Sequence, residues 1–420
     1  MHQHTSCQGT SSPREGRLVT GVRVPRRMIV VGASLAMVLG QALIAGPVAA
    51  TAPWTPAFTL APASPLRWIN DLSAAGGNVV TAWVSAVTTQ PSVWVRESVT
   101  SGTTWLAPVR LAADTSMWAG QISLTSDAAS GRHLAVWQEL TSSGSAIFMS
   151  SKTFGSGSWT APIEVSGNTG NSSATGPALV VTPAYYFLTY TRSTSSGSVT
   201  NRLRIFNRST GIWTPSISIA TLASTTGVVR LAAASNKVPM AWSTPSGAVM
   251  LRRGAIGSGS SPVITWTTSN LGSIGTAQNL FLVLSGTRGV VGWSRNGDIF
   301  VRRTTNSGVT WSLATRVLDG TPTNHFGVVD AAMSGLDVVF TGVRIAPGSP
   351  GYEPGYSFQM ISTNAGVTWT NTTANSTPRD GRAVAYVNKP SSGGLKVVGE
   401  AWTSDNITGA PIKMMYRRQT

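Results

Sequence analysis

Cysteine is almost missing. The 420 residues contain one, Cys7, which excludes a disulfide framework and a thiolate metal site whatever the redox state of the compartment. Histidine is nearly as scarce, at four. Only His133 and His325 lie beyond the first fifty residues, too few for an all-histidine zinc centre. Acidic residues number 15 against 31 lysines and arginines. No aspartate-rich loop has the spacing of a calcium site. The Gly-rich stretch 254–261 lacks the lysine of a phosphate-binding loop and reads as a turn. No Gly-x-Ser-x-Gly elbow comes with a histidine and an aspartate to complete it. Neither a metal nor a cofactor is expected.

A long apolar run occurs near the N-terminus, where Arg23, Arg26 and Arg27 precede Met28 to Gly46 and Val48-Ala49-Ala50 offers small residues for cleavage. This pattern predicts a secretory signal over residues 1–50, cut near Ala50, and a secreted domain over 51–420. Gly32, Ser34, Gly40 and Gln41 interrupt the run, which disfavours a membrane anchor, the alternative reading. No stable span is expected after processing. Arg26-Arg27 admits twin-arginine export, although the flanking residues fit the general route better. Residues 51–420 keep 26 basic and 14 acidic side chains, a net charge of +12. Such a surface suggests anionic neighbours, acidic glycans or cell-envelope polymers, with plain solubility as the alternative. An exported chain has no nucleic acid to meet. A monomer is expected.

What is abundant is Gly, Ser, Thr, Val and Trp, the composition of many short strands joined by tight turns. One turn recurs: Ser98–Trp105, Thr304–Trp311 and Ser362–Trp369 share a hydroxyl at position one, a short polar residue at three, Gly at five and Trp at eight. Position three is suited to bond the backbone ahead of it, and Gly supplies a positive φ. Trp buries a large ring under the turn. These tryptophans belong to a series at 54, 105, 159, 213, 266, 311 and 369. A second aromatic series, Trp83, Trp137, Tyr190, Trp242, Trp293, Phe340 and Trp402, precedes the next turn by 18 to 29 residues. Together the two series account for 12 of the 15 tryptophans.

Each repeat holds four strand candidates in one order. In the second they are 119–124, 133–137, 146–149 and 159–165. A four-stranded unit of about 40–50 residues is a β-propeller blade. The last repeat ends at Thr420 without its closing Trp, and the segment Trp54-Thr55-Pro56 resembles the start of a fourth strand. Re-entering at Thr51 puts Trp54 22 residues beyond Trp402, the commonest interior spacing. The expected fold is all-β: a seven-bladed β-propeller whose last blade combines both termini. An open solenoid is the alternative, but it would want capping repeats.

Ser/Thr-x-Asp-x-Gly-x-Thr-Trp is the Asp-box, and the chain resembles the Asp-box (BNR-repeat) propellers of the sialidase superfamily. The likeness is carried by Ser98–Trp105, Thr304–Trp311 and Ser362–Trp369, with Thr100, Asn306 and Asn364 where Asp is usual. It implies that the boxes join third to fourth strands, on the face away from the ligand. It also implies a functional face built from loops entering the innermost strands and loops between second and third strands. Sialidases place there three arginines that grip a carboxylate, a tyrosine nucleophile with a glutamate partner, and an aspartate acid; tyrosine departs from the usual two-carboxylate plan.

Carried over residue by residue, this gives Arg67, Arg230 and Arg382 as the clamp, Tyr386 as nucleophile and Asp71 as acid. Asp71 shares strand parity with Arg67, and Tyr386 with Arg382. Tyr352, Glu353 and Tyr356 stand in the sixth repeat's loop, and His325 and Asp330 flank the strand before it. Leu66-Arg67-Trp68-Ile69 lacks the proline the family places after its first arginine. A local Arg67–Asp71 ion pair is the alternative to an acid beside a clamp. Arg252-Arg253, Arg302-Arg303 and Arg417-Arg418 are expected on third strands, as solvated blade edges or a basic rim. Three functions follow: a propeller that binds anionic glycans, an exo-acting glycoside hydrolase of sialidase type, or an envelope scaffold.

Overall fold

The computed structural model describes residues 56–64, 67–85, 91–113, 117–167, 172–222, 229–234, 237–244, 248–257, 264–273, 278–320, 325–345, 356–372, 379–388, 397–404 and 412–418. The expected leader and the loop residues Tyr352 and Glu353 lie outside them. The described residues are all-β, with no helix. They form five four-stranded sheets and one nine-stranded sheet.

Each sheet is built from antiparallel meanders in chain order. The first is Arg67–Ala75, Asn78–Ser85, Ser92–Ser98 and Val109–Leu111. Short turns such as Gly76-Gly77, with Gly76 at φ 60, force neighbours in sequence to be neighbours in the sheet. The nine-stranded sheet is two such meanders, 119–164 and 172–222, joined where Ser145 pairs in parallel with Ser173. At that junction a Cβ on Gly144 would meet the Ser172 carbonyl at 2.6 Å, so only glycine lets the two backbones approach. The last sheet, 379–418, takes its fourth strand from the other end of the chain: Phe58–Ser64 pairs antiparallel with Ile412–Arg418.

The sheets pack face to face. Val80, Ala82, Val84, Val93 and Val95 of the first meander meet Ile122, Leu124, Ala135 and Trp137 of the second. Equivalent clusters join each later pair through the sixth, and Leu60 and Ala61 join Leu72, Val79 and Trp83. Second strands are therefore buried on both faces, as Val79–Ser85 shows along its length. That is why they read as continuous apolar runs rather than as alternation. The upstream aromatic series fills these interfaces: Trp83, Trp137, Tyr190, Trp242, Trp293 and Phe340 are all buried.

The tryptophan turns explain their own sequence. Position one is a double acceptor: Ser362 Oγ takes the amides of Asn364 (3.4 Å) and Gly366 (2.8 Å), and Thr304 and Ser98 do the same. Position three accepts from the amide of position seven, at 2.8 Å for Thr100 and 2.9 Å for Asn306 and Asn364. Gly102, Gly308 and Gly366 have φ of 81, 82 and 82°. Position four is also left-handed, at 54 or 55° in Ser101, Ser307 and Ala365, and its amide bonds the hairpin before it. The sequence pattern gave no sign of that second strained residue.

One expectation is corrected. The turn tryptophan was expected to begin the fourth strand, yet Val109, Ile163, Ile217 and Thr315 begin it four residues later. The indole is occupied by the turn itself, donating Nε1 to the Gly carbonyl at 3.1 Å in Trp105 and Trp369. Trp266 lies inside a long strand, Ile264–Ser273, and Trp213 ends a two-residue one, Ile212–Trp213.

Of the paired arginines Arg252 differs from a solvated edge, and so do Arg204 and Arg96 on equivalent strands. Arg204 donates Nε to Thr214 O and Nη1 to Val165 O of the preceding meander, both at 2.8 Å, and lies over Trp213. Arg96 repeats this with Leu106 O and Leu60 O. Arg252 reaches Thr268 and Ile219 O. Third-strand guanidinium groups of the first, third and fourth meanders thus strap them to the outer strand of the preceding sheet or meander.

Ser362→Ala is expected to strand two amides and to lower stability by roughly 1–3 kcal/mol, whereas Asn306→Asp keeps the acceptor and should stay within about 0.5 kcal/mol. Denaturant midpoints of the two variants check both; equal losses would refute the assignment of the hydroxyl as the main acceptor.

Candidate functional site

The first strand of each meander pairs only with its second along most of its length, which leaves one edge without a ladder partner. Unpaired edge amides need acceptors. Side chains from one first strand supply them to the next in chain order. Gln121 Oε1 accepts from Gly176 N at 2.7 Å, Ser123 Oγ from Leu179 N at 3.3 Å and Ser285 Oγ from Gly335 N at 2.8 Å. Arg230 does the converse, donating Nε to Leu280 O at 2.8 Å.

Asp71 belongs to this series. Its Oδ2 accepts from Leu124 N on the neighbouring first strand at 2.6 Å, and its Oδ1 from Leu72 N at 2.8 Å. Both oxygens are engaged by backbone. The residue follows a bulge, since Ile69 faces Trp83 while Asp71 faces Ala82. Asp330 follows a bulge in strand His325–Ser334, and its Oδ1 likewise accepts the next amide, Ala331 N, at 2.8 Å. Arg382 also directly follows a bulge, in Arg379–Asn388. Bulges re-aim side chains at sheet edges, and here they put charged residues at matching positions of several first strands.

These charges act on one another. Asp71 keeps partial surface exposure, yet it is enclosed by protein over the longer range that governs solvation. Burial, with the charge of Asp330, pushes its carboxyl up to about 8. The amides of Leu124 and Leu72 and the charge of Arg230 pull the other way. A carboxyl so raised holds its proton at neutral pH, and a protonated carboxyl can donate a hydrogen bond or a proton. The charges of Asp330 and Arg230, on the sixth and fourth meanders, thus act on Asp71 of the first, across more than 250 positions of sequence.

Other expected residues are placed by backbone alone. Arg67, His325, Tyr356, Arg382 and Tyr386 lie in strands. The pairing between Arg382 and Tyr386 is unbroken, so their alternation holds. Between Arg67 and Asp71 the bulge inserts one residue, which removes the parity that was to place them on one face.

Sequence reasoning missed a buried ionic cluster between the first two meanders. Glu97 pairs with Lys152 and accepts Gly155 N at 2.7 Å. His133 Nε2 stands 3.4 Å from Glu97 Oε1, and its Nδ1 is 2.9 Å from Ser126 Oγ. Burial alone would raise the Glu97 carboxyl, but His133, the Gly155 amide and Lys152 outweigh it and hold it at about 2. Burial lowers His133 against the pull of Glu97. The available signal was Lys152, which occupies position one of the turn ending at Trp159, where the regular copies carry Ser or Thr.

No protein-family model matches the chain, and none of the curated proteins compared with it does either. Solved structures do match. The chain superposes on the phage phi92 endosialidase with a TM-score of 0.50 at 10% identity, covering 88% of this chain and 69% of that one. It superposes on the polysaccharide lyase Uly1 with a TM-score of 0.50 at 9% identity, covering 86% and 90%. The Hadza microbial sialidase Hz136 gives 0.45 at 12% identity, covering 84% and 66%. At such identities the likeness fixes the fold, a sialidase-like β-propeller, and nothing finer.

Two pH effects of opposite sign follow. Asp71 is raised in the folded state, so its contribution is complete below the ordinary carboxylate value and is lost as pH rises through about 8. Asp71→Asn should flatten that decline in Tm, which runs from the ordinary carboxylate range up to about pH 8. Glu97 is depressed, so its contribution is complete above its ordinary value and is lost as pH falls toward about 2. Glu97→Gln should abolish that acid loss and cost roughly 3–5 kcal/mol at pH 7 by leaving Lys152 buried and unpaired. Melting curves from pH 2 to 9 test both; an unchanged profile in either variant contradicts its assignment.

Proposed function

We propose that the protein is a secreted, closed seven-bladed Asp-box propeller that binds anionic glycans or cell-envelope polymers through the loops at its channel mouth. The pairing of Phe58–Ser64 with the C-terminal strand supports the closure, as does the packing of Arg379–Asn388 beside Arg67–Ala75. The hydroxyl, Asn and Gly bonding of the tryptophan turns supports the Asp-box assignment. The observation that carries the functional reading is Asp71 on a first strand of a sialidase-like fold, its carboxyl raised by burial and the charge of Asp330 and acted on by the charge of Arg230. A guanidinium group suits a carboxylate ligand, and a neighbouring carboxyl kept neutral does not repel one. Arg67, Arg382, His325, Tyr352, Glu353 and Tyr356 are the further residues assigned to the mouth.

Exo-acting hydrolysis of sialidase type is the second reading, with Tyr386 as nucleophile and Asp71 as acid. The raised Asp71 favours it, because a general acid must carry its proton at working pH. The two backbone amides on Asp71 weigh against it, since they commit both oxygens to the neighbouring strand.

Purified residues 51–420 should bind acidic oligosaccharides on a glycan array, with affinity at least tenfold lower in Arg230→Ala and no release of sialic acid from mixed sialosides. Release abolished by Asp71→Asn and Tyr386→Phe would instead establish the hydrolase. Absence of both binding and release would sink the two readings together.

A further inference from the structure

Three N–H donors at one boundary between sheets have no acceptor. Arg253 Nε, Arg302 Nε and the Trp311 indole N–H are each shielded from solvent and lack a hydrogen-bond partner. Strand alternation puts them between the fourth and fifth meanders. On strand Ala248–Ile256, Val249 and Leu251 cluster with Val291 and Trp293 of the fifth meander, and Arg253 is the next residue on that face. On strand Asp298–Thr304, Phe300 packs against the same cluster, and Arg302 follows it on that face. The ladders through both positions are unbroken, with Arg253 opposite Pro239 and Arg302 opposite Val291. Trp311 also packs against this cluster. A Cβ on Gly308 would lie 3.5 Å from the Trp311 ring and 3.6 Å from Pro239 Cβ, so the turn that carries Trp311 is seated on the register partner of Arg253.

Equivalent corners elsewhere are satisfied. Arg96 and Arg204 stand two residues before their turns, as Arg302 does. Each donates Nε to the carbonyl after the turn tryptophan, Leu106 O at 2.6 Å and Thr214 O at 2.8 Å, and Nη1 to the preceding outer strand or the residue after it. Trp105 and Trp369 donate Nε1 to a glycine carbonyl at 3.1 Å. Arg253 follows the strapping Arg252 as Glu97 follows Arg96, and Glu97 meets Lys152 across its own boundary. At the fourth boundary a cation thus stands where the first has an acid. Neither Arg253 nor Arg302 takes part in a salt bridge among the described residues. Burial lowers the Arg302 guanidinium and no carboxylate raises it, whereas Glu164 raises Arg204. Both side chains keep partial exposure, so this corner is open to solvent on one side. Unmet donors and like charges at one boundary are relieved together by an anion, which accepts charge-assisted bonds.

We propose that the corner between the fourth and fifth meanders, beside the turn ending at Trp311, binds an oxyanion, the carboxylate or sulfate of an acidic glycan, through Arg253 and Arg302. The site stands on third strands, whereas Asp71, Arg230 and Asp330 stand on first strands. It rests on the glycan-binding reading and gives that reading a second point of attachment, so a polymer rather than a single sugar is the ligand it fits.

The test is retention of purified residues 51–420 on immobilised polygalacturonate, dextran sulfate and neutral dextran at matched ionic strength. Arg253→Gln/Arg302→Gln should bind a charged matrix about tenfold more weakly, and the charge-matched control Arg132→Gln/Arg288→Gln should stay within about twofold of wild type. The matrix on which the site variant loses more names the anion. Arg302→Lys keeps the charge and loses the fork, so it should weaken binding by an intermediate factor. It also decides the matter should the double variant fail to fold, because wild-type retention by Arg302→Lys would overturn the proposal. A second readout is local: the Trp311 indole N–H resonance, assigned with Trp311→Phe, should shift when oligogalacturonate or a sulfated oligosaccharide is added. No shift with either in wild type, equal losses in the site variant and the control, or no loss in the site variant would overturn the corner and leave the glycan-binding reading standing. Wild type retained no better on charged matrices than on dextran would remove both.

Discussion

Each sheet in this protein has two apolar faces and must bury both. No single sheet of four short strands can do so alone, and its stability comes from the sheets before and after it. The second strands show the consequence most plainly: Asn78–Ser85 is buried almost throughout, with Trp83 at one interface and Val80, Ala82 and Val84 at the other. A buried large side chain is worth about 1.5–3 kcal/mol of transfer energy, so the aromatic series supplies a large part of what holds successive sheets together. The fold is cooperative for that reason, and its ends are tied by a strand exchanged between the two termini of the domain.

The same constraint explains where the charge went. The sequence is strongly basic, yet many arginines are spent on the protein itself. Arg96, Arg204 and Arg252 each strap a third strand to a carbonyl of the preceding outer strand and lie over an aromatic ring. Guanidinium suits this work because its fork satisfies two carbonyls at once and its plane stacks. A composition argument that reads every cation as available for a partner therefore overstates the binding surface. The arginines that matter for ligands are those the frame does not consume.

Asp71 shows how a structural duty and a chemical opportunity can coincide. Two backbone amides favour its charged form, and enclosure beside Asp330 favours the neutral one. The balance falls toward the proton. Its geometry is that of an edge cap like Gln121 and Ser123, while its electrostatics are those of an acid. Glu97 has the opposite outcome, because His133, the Gly155 amide and Lys152 stabilise its charge. Environment, rather than residue type, separates the two carboxyls.

The repeat, the four-strand order and the tryptophan turns were legible in the sequence because they are local. A hydroxyl, a polar residue, a glycine and a tryptophan within eight positions meet one another whatever the rest of the chain does. The first-strand candidates Asp71, Arg230 and Arg382 were legible as residues near strand starts. Their relations were not. A one-residue bulge at Asn70 undid the parity expected between Arg67 and Asp71, and no local pattern announces a bulge. The Asp71–Asp330–Arg230 grouping and the Glu97–Lys152–His133 cluster join different sheets. Sequence by itself determined the repeating unit, since strand alternation and turn chemistry act over a few residues. Tertiary structure decided which charges face one another, since that depends on how each sheet is seated against the next.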